Sequence, residues 1–208
     1  QDFSFFEKTL YSYDYDREKH GYTSMIDVDS FVDYFIINEL SSNADAGSYS
    51  TYIYKGTDNL YRMCVWDFNN ACNNYFEEEL PYTGFFLNNR LWFEMLIKDE
   101  DFTERIIQRY HTLRKGLLSE ESLYRYIDET LDFIAPALAR NDARWGSVEQ
   151  QAKGLLVPVS RNLDSRSAAE GQLKGYLRNR GKWLDENIET LRQYSASSRV
   201  KQYNEVND

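Results

Sequence analysis

The stretch Leu40–Ala71 reads LSSNADAGSYSTYIYKGTDNLYRMCVWDFNNA, and its reading decides the fold. It leaves an apolar helix, turns through Asn43-Ala44-Asp45, runs along TYIYK (51–55), turns at GTDN (56–59) and returns along YRMCVWDF (61–68). Both runs are rich in β-branched and aromatic residues bounded by turn formers, which predicts a hairpin. In such a hairpin the start of the first strand lies beside the end of the second. Asp45 and Asp67 then come to one end of the ribbon, with Asn43, Ser50, Asn69 and Asn70 nearby. Phosphoryl transfer uses one carboxylate to orient an attacking hydroxyl and another to hold a divalent cation, and amide or hydroxyl oxygens suit a hard cation. Asx residues also cluster in turns for backbone reasons alone, so spacing by itself leaves both readings open.

Outward from this stretch the chain reads as mostly helical. Upstream, a short helix is expected near Phe3–Tyr11 and a loop over Tyr13–Thr23. Residues 27–42 predict a nearly buried helix. Asp27 is its N-cap, Asp29 sits in its first turn, and Val28, Phe31, Val32, Phe35, Ile36 and Leu40 follow helical spacing. Downstream, NNACNNYFEEELPYTG (69–84) reads as a polar loop. Its FEEEL segment is either a solvated acidic run or a rim close to Asp67.

Helices are then expected over Asn89–Lys98, Asp101–Lys115, from Ser119 onward, and over Ala168–Gln193, with a short turn at Val148–Gly154. The helix after Ser119 carries a stripe of Leu123, Ile127, Leu131, Ile134 and Leu138 that continues past Pro136, so the proline should kink it rather than end it. Arg105, Arg109 and Arg114 are expected to pair with acids across helices, and Arg140, Arg144 and Trp145 to pack as a cation–π cluster. With no internal repeat or linker, residues 1–194 are expected to form one unit and 195–208 a polar tail.

Composition narrows the function. The chain has 208 residues, a net charge of −10 and a mean hydropathy of −0.68. The acidic balance argues against nucleic-acid binding, which needs clustered Lys and Arg, and no apolar run approaches the ~20 residues that span a bilayer. The two cysteines, Cys64 and Cys72, form neither a disulfide scaffold nor a zinc site. Cys64 reads as a small buried strand residue, with a Cys64–Cys72 bridge as the other option. His20 and His111 have no motif around them, and no Gly-x-Ser-x-Gly nucleophile elbow is present. The 17 Tyr and 12 Phe serve either a core of amphipathic rings or faces that bind protein or glycan.

The segments DVDSFVDYFIINELSSNADAGSYSTYIYK and LYRMCVWDFNNA resemble the core of the CotH family, the spore coat protein H type of kinase-like protein. FTERIIQRYHTLRKGLLSEESLYRYID, ARNDARWG and LKGYLRNRGKWLDENI extend the similarity in the family's order, over roughly Ile26 to Ile188. The resemblance implies a mainly α (α+β) fold, the helical C-terminal lobe of a protein-kinase-like protein with a small β-hairpin. It also implies ATP and Mg²⁺ or Mn²⁺ as cofactors, Ser or Thr of coat or surface proteins as acceptor, and a spore-coat or cell-surface location. Asp45 matches the catalytic acid and Asp67 the metal-binding acid, with Asn69 and Ser50 as lesser metal ligands and Asn43 on the cofactor. Ser50 stands where the family usually has Asn, and Asn69 where it usually has a second Asp. Both changes predict weaker metal binding.

No Gly-rich loop and no Lys-bearing strand precedes residue 27, so the N-terminal lobe is expected to be largely absent and this chain alone to transfer little phosphate. The reading from another class is a non-catalytic coat or surface assembly module.

Overall fold

The computed structural model describes residues 2–147 and 154–195. The expected turn at Val148–Gly154 lies, but for Gly154, outside them, as does the tail beyond Ser195.

The elements follow the hydrophobic pattern. Helix α1 (Asp2–Leu10) buries Phe6 and Leu10, and α2 (Val28–Ser41) runs through the centre. The Asp27 carboxylate caps α2 by accepting the Ser30 N–H at 3.2 Å, and Asp29 faces the positive end of the helix. Phe31, Val32, Tyr34, Phe35, Ile36 and Leu40 are all buried, so α2 is covered on most sides rather than on one stripe. It ends at Ser42, which takes a left-handed φ of 46°.

Two antiparallel strands follow, β1 (Tyr52–Lys55) and β2 (Tyr61–Cys64), with Tyr52 opposite Cys64 and Lys55 opposite Tyr61. A bridge between Ile26 and Tyr61, and the Ser30 hydroxyl accepting the Met63 N–H at 2.9 Å, fasten the ribbon to the start of α2. The second strand was expected to reach Phe68. It stops at Cys64 because the next residues leave the ladder for solvent, and Asp67 takes a left-handed φ of 55°.

The remaining elements are α3 (Phe93–Leu96), α4 (Glu100–Arg114), α5 (Glu120–Trp145) and α6 (Arg166–Asn187), with a 3₁₀ segment at Ile188–Tyr194. The helix expected over Asn89–Lys98 is reduced to the single turn of α3, since Leu91 sits at φ 47° and breaks it. Asp99, Ser119 and Ser165 cap α4, α5 and α6 through their side chains. The Tyr22 hydroxyl donates to Asp99 at 2.6 Å and so ties the N-terminal segment to that cap.

Much of the aromatic excess is core. Phe6, Phe31, Trp92 and Phe93 meet edge-on or tilted within about 6 Å, and Tyr34 stacks on Phe93 at 5.9 Å and 7°. Each fully buried ring or Leu/Ile side chain contributes roughly 1.5–3 kcal/mol.

Pro136 lies inside α5, as expected, but the apolar stripe of that helix is only half-buried and none of its residues is fully covered. Polar contacts join α5 to α6: Tyr124 to the Lys174 carbonyl at 3.0 Å, Lys174 to Asp128, and Arg166 to Asp142 at 2.6 Å. Cys64 is exposed rather than buried, because its side of the ribbon faces solvent, and both cysteines are free thiols. The three arginines of α4 pair across helices with Asp29, Asp33 and Asp185, and Arg144 lies 4.8 Å from the Trp145 ring. Among the described residues no helix is long and apolar enough to cross a membrane.

Candidate functional site

The C-terminal end of α2 is polar but dry. Glu39 and Arg180 are 1 % and 0 % exposed and meet at 2.6 Å. The Glu39 carboxylate also accepts the N–H groups of Phe86 and Leu87, at 2.9 and 2.6 Å. Arg180, from α6, donates to the carbonyls of Glu39, Tyr82 and Gly84. Burial pushes the Glu39 carboxyl up, and Arg180 and the two N–H groups oppose that shift. The pair fixes the end of α2 against the far end of the loop 69–87.

Four residues on, Asn43 is buried and engaged at both ends of its amide: an N–H donates to Asn38 at 3.0 Å and the oxygen accepts the Asp45 N–H at 3.3 Å. Asn43 therefore shapes the turn that presents Asp45. Arg90 braces the same turn, donating to the carbonyls of Ala44 at 2.7 Å and Ala46 at 3.3 Å on either side of Asp45. Gly47 follows at φ 78°, where a Cβ would come within 2.8 Å of both Arg90 and Leu87. Only glycine meets the dihedral and the close approach together.

Asp45 is half-buried, and its carboxylate accepts the Asn70 amide at 2.9 Å. Asn70 in turn accepts from the Asn69 amide at 3.3 Å. Asn69, Asn70 and Asp45 thus form a hydrogen-bonded chain across the 25 residues between Asn70 and Asp45. Asp67 is exposed at the left-handed position just before, and its side chain makes no hydrogen bond or ion pair among the described residues.

Ser50 lines a hollow of about 450 Å³ with Phe3, Gly47, Leu91 and Trp92, whereas Asn69 and Asn70 line another. Among the described residues no three His, Cys, Asp or Glu side chains gather as a metal cluster. The donors near Asn70 are carboxylate and amide oxygens, a set that fits a hard divalent cation retaining several waters.

The loop 69–87 is stapled from outside. The Cys72 N–H donates to the Ser41 carbonyl at 2.6 Å, Gln172 donates to the Cys72 carbonyl, Tyr176 to the Pro81 carbonyl, and Arg161 to the Asn73 carbonyl. Burial pushes the Cys72 thiol up to about 12. Glu77, Glu78 and Glu79 are exposed, with Glu77 accepting from Tyr75 at 2.7 Å. Between this loop, the 155–163 segment and the start of α6 lies a cavity of about 900 Å³, with Asn69 and Asn70 on its wall.

Sequence reasoning missed Glu39, Arg180 and Arg90. Glu39 carried a signal, a carboxylate inside an otherwise apolar helical pattern. Arg90 and Arg180 looked like ordinary surface cations.

A family model described as CotH kinase protein matches residues 2–184. The chain belongs to that family. The match takes in α1, α2, the hairpin, the 69–87 loop and α6 as far as Leu184, so Asp45, Asp67, Asn70 and the Glu39–Arg180 pair all lie inside the CotH span. It reaches further upstream than the resemblance from Ile26 suggested. No curated protein matches the chain.

Proposed function

We propose that this CotH-family chain carries the acid-bearing edge of a protein kinase that moves the γ-phosphoryl of ATP to a Ser or Thr hydroxyl of a coat or surface protein. The observation that carries this reading is the hydrogen bond from Asn70 to Asp45, which joins the catalytic turn to the segment following Asp67. Asp45 orients the acceptor hydroxyl, with its turn held by Asn43 and Arg90. The acceptor oxygen forms the new bond to phosphorus, the bond from phosphorus to the ADP oxygen breaks, and the hydroxyl proton passes toward Asp45 or solvent. Asp67 and the Asn69 amide oxygen would hold Mg²⁺ or Mn²⁺, which when bound offsets the charge of the phosphates. Ser50 is the weaker metal candidate because it lines a different hollow.

The test is transfer of labelled phosphate from ATP by the full-length protein, with and without Mg²⁺. Asp45→Asn should lower the rate by about 10²- to 10⁴-fold, the usual range for a positioned acid–base group. An Asp45→Asn rate equal to wild type contradicts the assignment.

A second reading is a coat or surface assembly module without catalysis, binding protein or glycan through exposed rings. It is favoured by the engaged state of Asn43 and by the exposed Tyr52–Trp66 pair, whose rings lie 5.9 Å apart on the outer side of the hairpin.

A further inference from the structure

The cavity of about 900 Å³ beside the 69–87 loop lies toward the upper end of the ~300–1,000 Å³ typical of binding sites. Its walls are Phe76, Leu155, Leu156, Leu163 and Leu173. Asn70, whose amide bonds to the Asp45 carboxylate, forms part of the wall, so the cavity is one hydrogen bond away from the group that orients the acceptor hydroxyl. The described lining offers an anion little beyond Arg161. Among the described residues Arg161 is its cation, with its two terminal nitrogens tied to the carbonyls of Val157 and Asn73 and its buried Nε unpaired, and the other charged liner is Glu79. Asn74 and Gln172 each give one N–H to a loop carbonyl, and each amide retains an oxygen that can accept a peptide N–H. Apart from Asn69, the metal-side residue that also lies on its wall, the apolar residues and neutral amides of the cavity match a peptide segment bearing a large apolar side chain.

We propose that this cavity is an acceptor-specificity pocket that takes a Leu- or Phe-sized side chain flanking the phosphorylated Ser or Thr. The inference rests on the phosphoryl-transfer reading above, and it assigns that site a substrate preference.

The probes are fluorescein-labelled peptide pools with a central Ser, degenerate except for one flanking position fixed in turn as Leu, Phe, Ala, Lys or Glu. Binding to the full-length protein is read by anisotropy, and transfer from ATP–Mg²⁺ by label incorporation. At one flanking position the Leu and Phe pools should bind about 10- to 100-fold more tightly than the Ala pool, the effect of burying one such side chain. Ala169→Trp, which fills the cavity from the first turn of α6, should erase that preference. Leu155→Asp, at an exposed wall position, should weaken it without disturbing the core. Transfer without an apolar preference, or a preference unchanged in both folded variants, overturns the pocket alone. Leu-selective binding that Ala169→Trp abolishes, with no transfer to any pool, overturns the kinase reading and leaves a peptide pocket. Absence of both binding and transfer overturns both.

Discussion

The Glu39 carboxylate and the Arg180 guanidinium meet at 2.6 Å with both side chains sealed from water, joining residues 141 apart in sequence. Attraction between such charges is set against the cost of stripping both of water, so the intact pair adds little net stability, whereas removing one partner leaves a bare buried charge. Arg180→Met should therefore cost roughly 3–5 kcal/mol in urea unfolding. Without Arg180, burial holds the Glu39 carboxyl above the 4.5 of a free glutamate. A group whose pKa is raised in the folded state binds more protons there than when unfolded. Its stability contribution is present at low pH and lost as pH rises through the raised value. The deficit of Arg180→Met relative to wild type should thus be smaller at pH 4 than at pH 7. An equal deficit at both would show that the carboxylate is not the stranded charge.

Asp185 behaves in the opposite sense. Burial pushes its carboxyl up, but Arg114 at 2.7 Å and the Tyr110 hydroxyl at 2.8 Å more than offset this, and its pKa lies below the ordinary 3.8. Its contribution is present above the unfolded value and lost as pH falls toward the lower folded one. Asp185→Asn should flatten the stability profile below about pH 4, measured as midpoint against pH. A profile that falls as steeply as wild type would remove Asp185 from the account.

Gly47 tests the turn that carries Asp45. Gly47→Ala forces a side chain into a left-handed dihedral, at about 1–2 kcal/mol, and into contact with Arg90 and Leu87. Beyond the lower melting temperature, amide exchange at Ser48 and Tyr49 should quicken, because both N–H groups donate to the Asp45 carbonyl. Unchanged exchange at those two amides would show that Arg90 and Gly47 do not brace the turn.

The two thiols should separate cleanly in an alkylation time course at pH 8. Cys64 is exposed and should react first, while Cys72 is half-buried with its pKa pushed up to about 12, which leaves little thiolate. Equal rates would contradict the partial burial of Cys72 within the 69–87 loop.

The contrast between those cysteines shows what was legible in the sequence. Elements with a local signature came through: α2 begins at the Asp27 cap, the hairpin pairs around GTDN, and α5 starts from Ser119 and runs through Pro136. Elements decided by distant neighbours did not. Period-2 alternation cannot say which face of a ribbon is covered, so Cys64 was assigned to the wrong side. The pattern at 89–98 is helical, yet Leu91 turns left-handed and Trp92 and Phe93 enter the aromatic core. The stripe on α5 has helical spacing but lies on a helix with no fully buried residue. Within the candidate site, the approach of Asn70 to Asp45 was legible as the convergence of the two segments that flank the hairpin. The particular hydrogen bond from Asn70 and the bracing by Arg90 depend on contacts between residues far apart in the chain.

The central claim is that Asp45 and Asp67 serve one ATP-dependent site, one on the acceptor side and one on the metal side. Calorimetric titration of the full-length protein with ATP and Mg²⁺ tests it most directly. The account predicts that wild type and Asp45→Asn bind nucleotide while Asp67→Ala does not. Binding by Asp67→Ala equal to wild type, or no binding by any of the three, would contradict it.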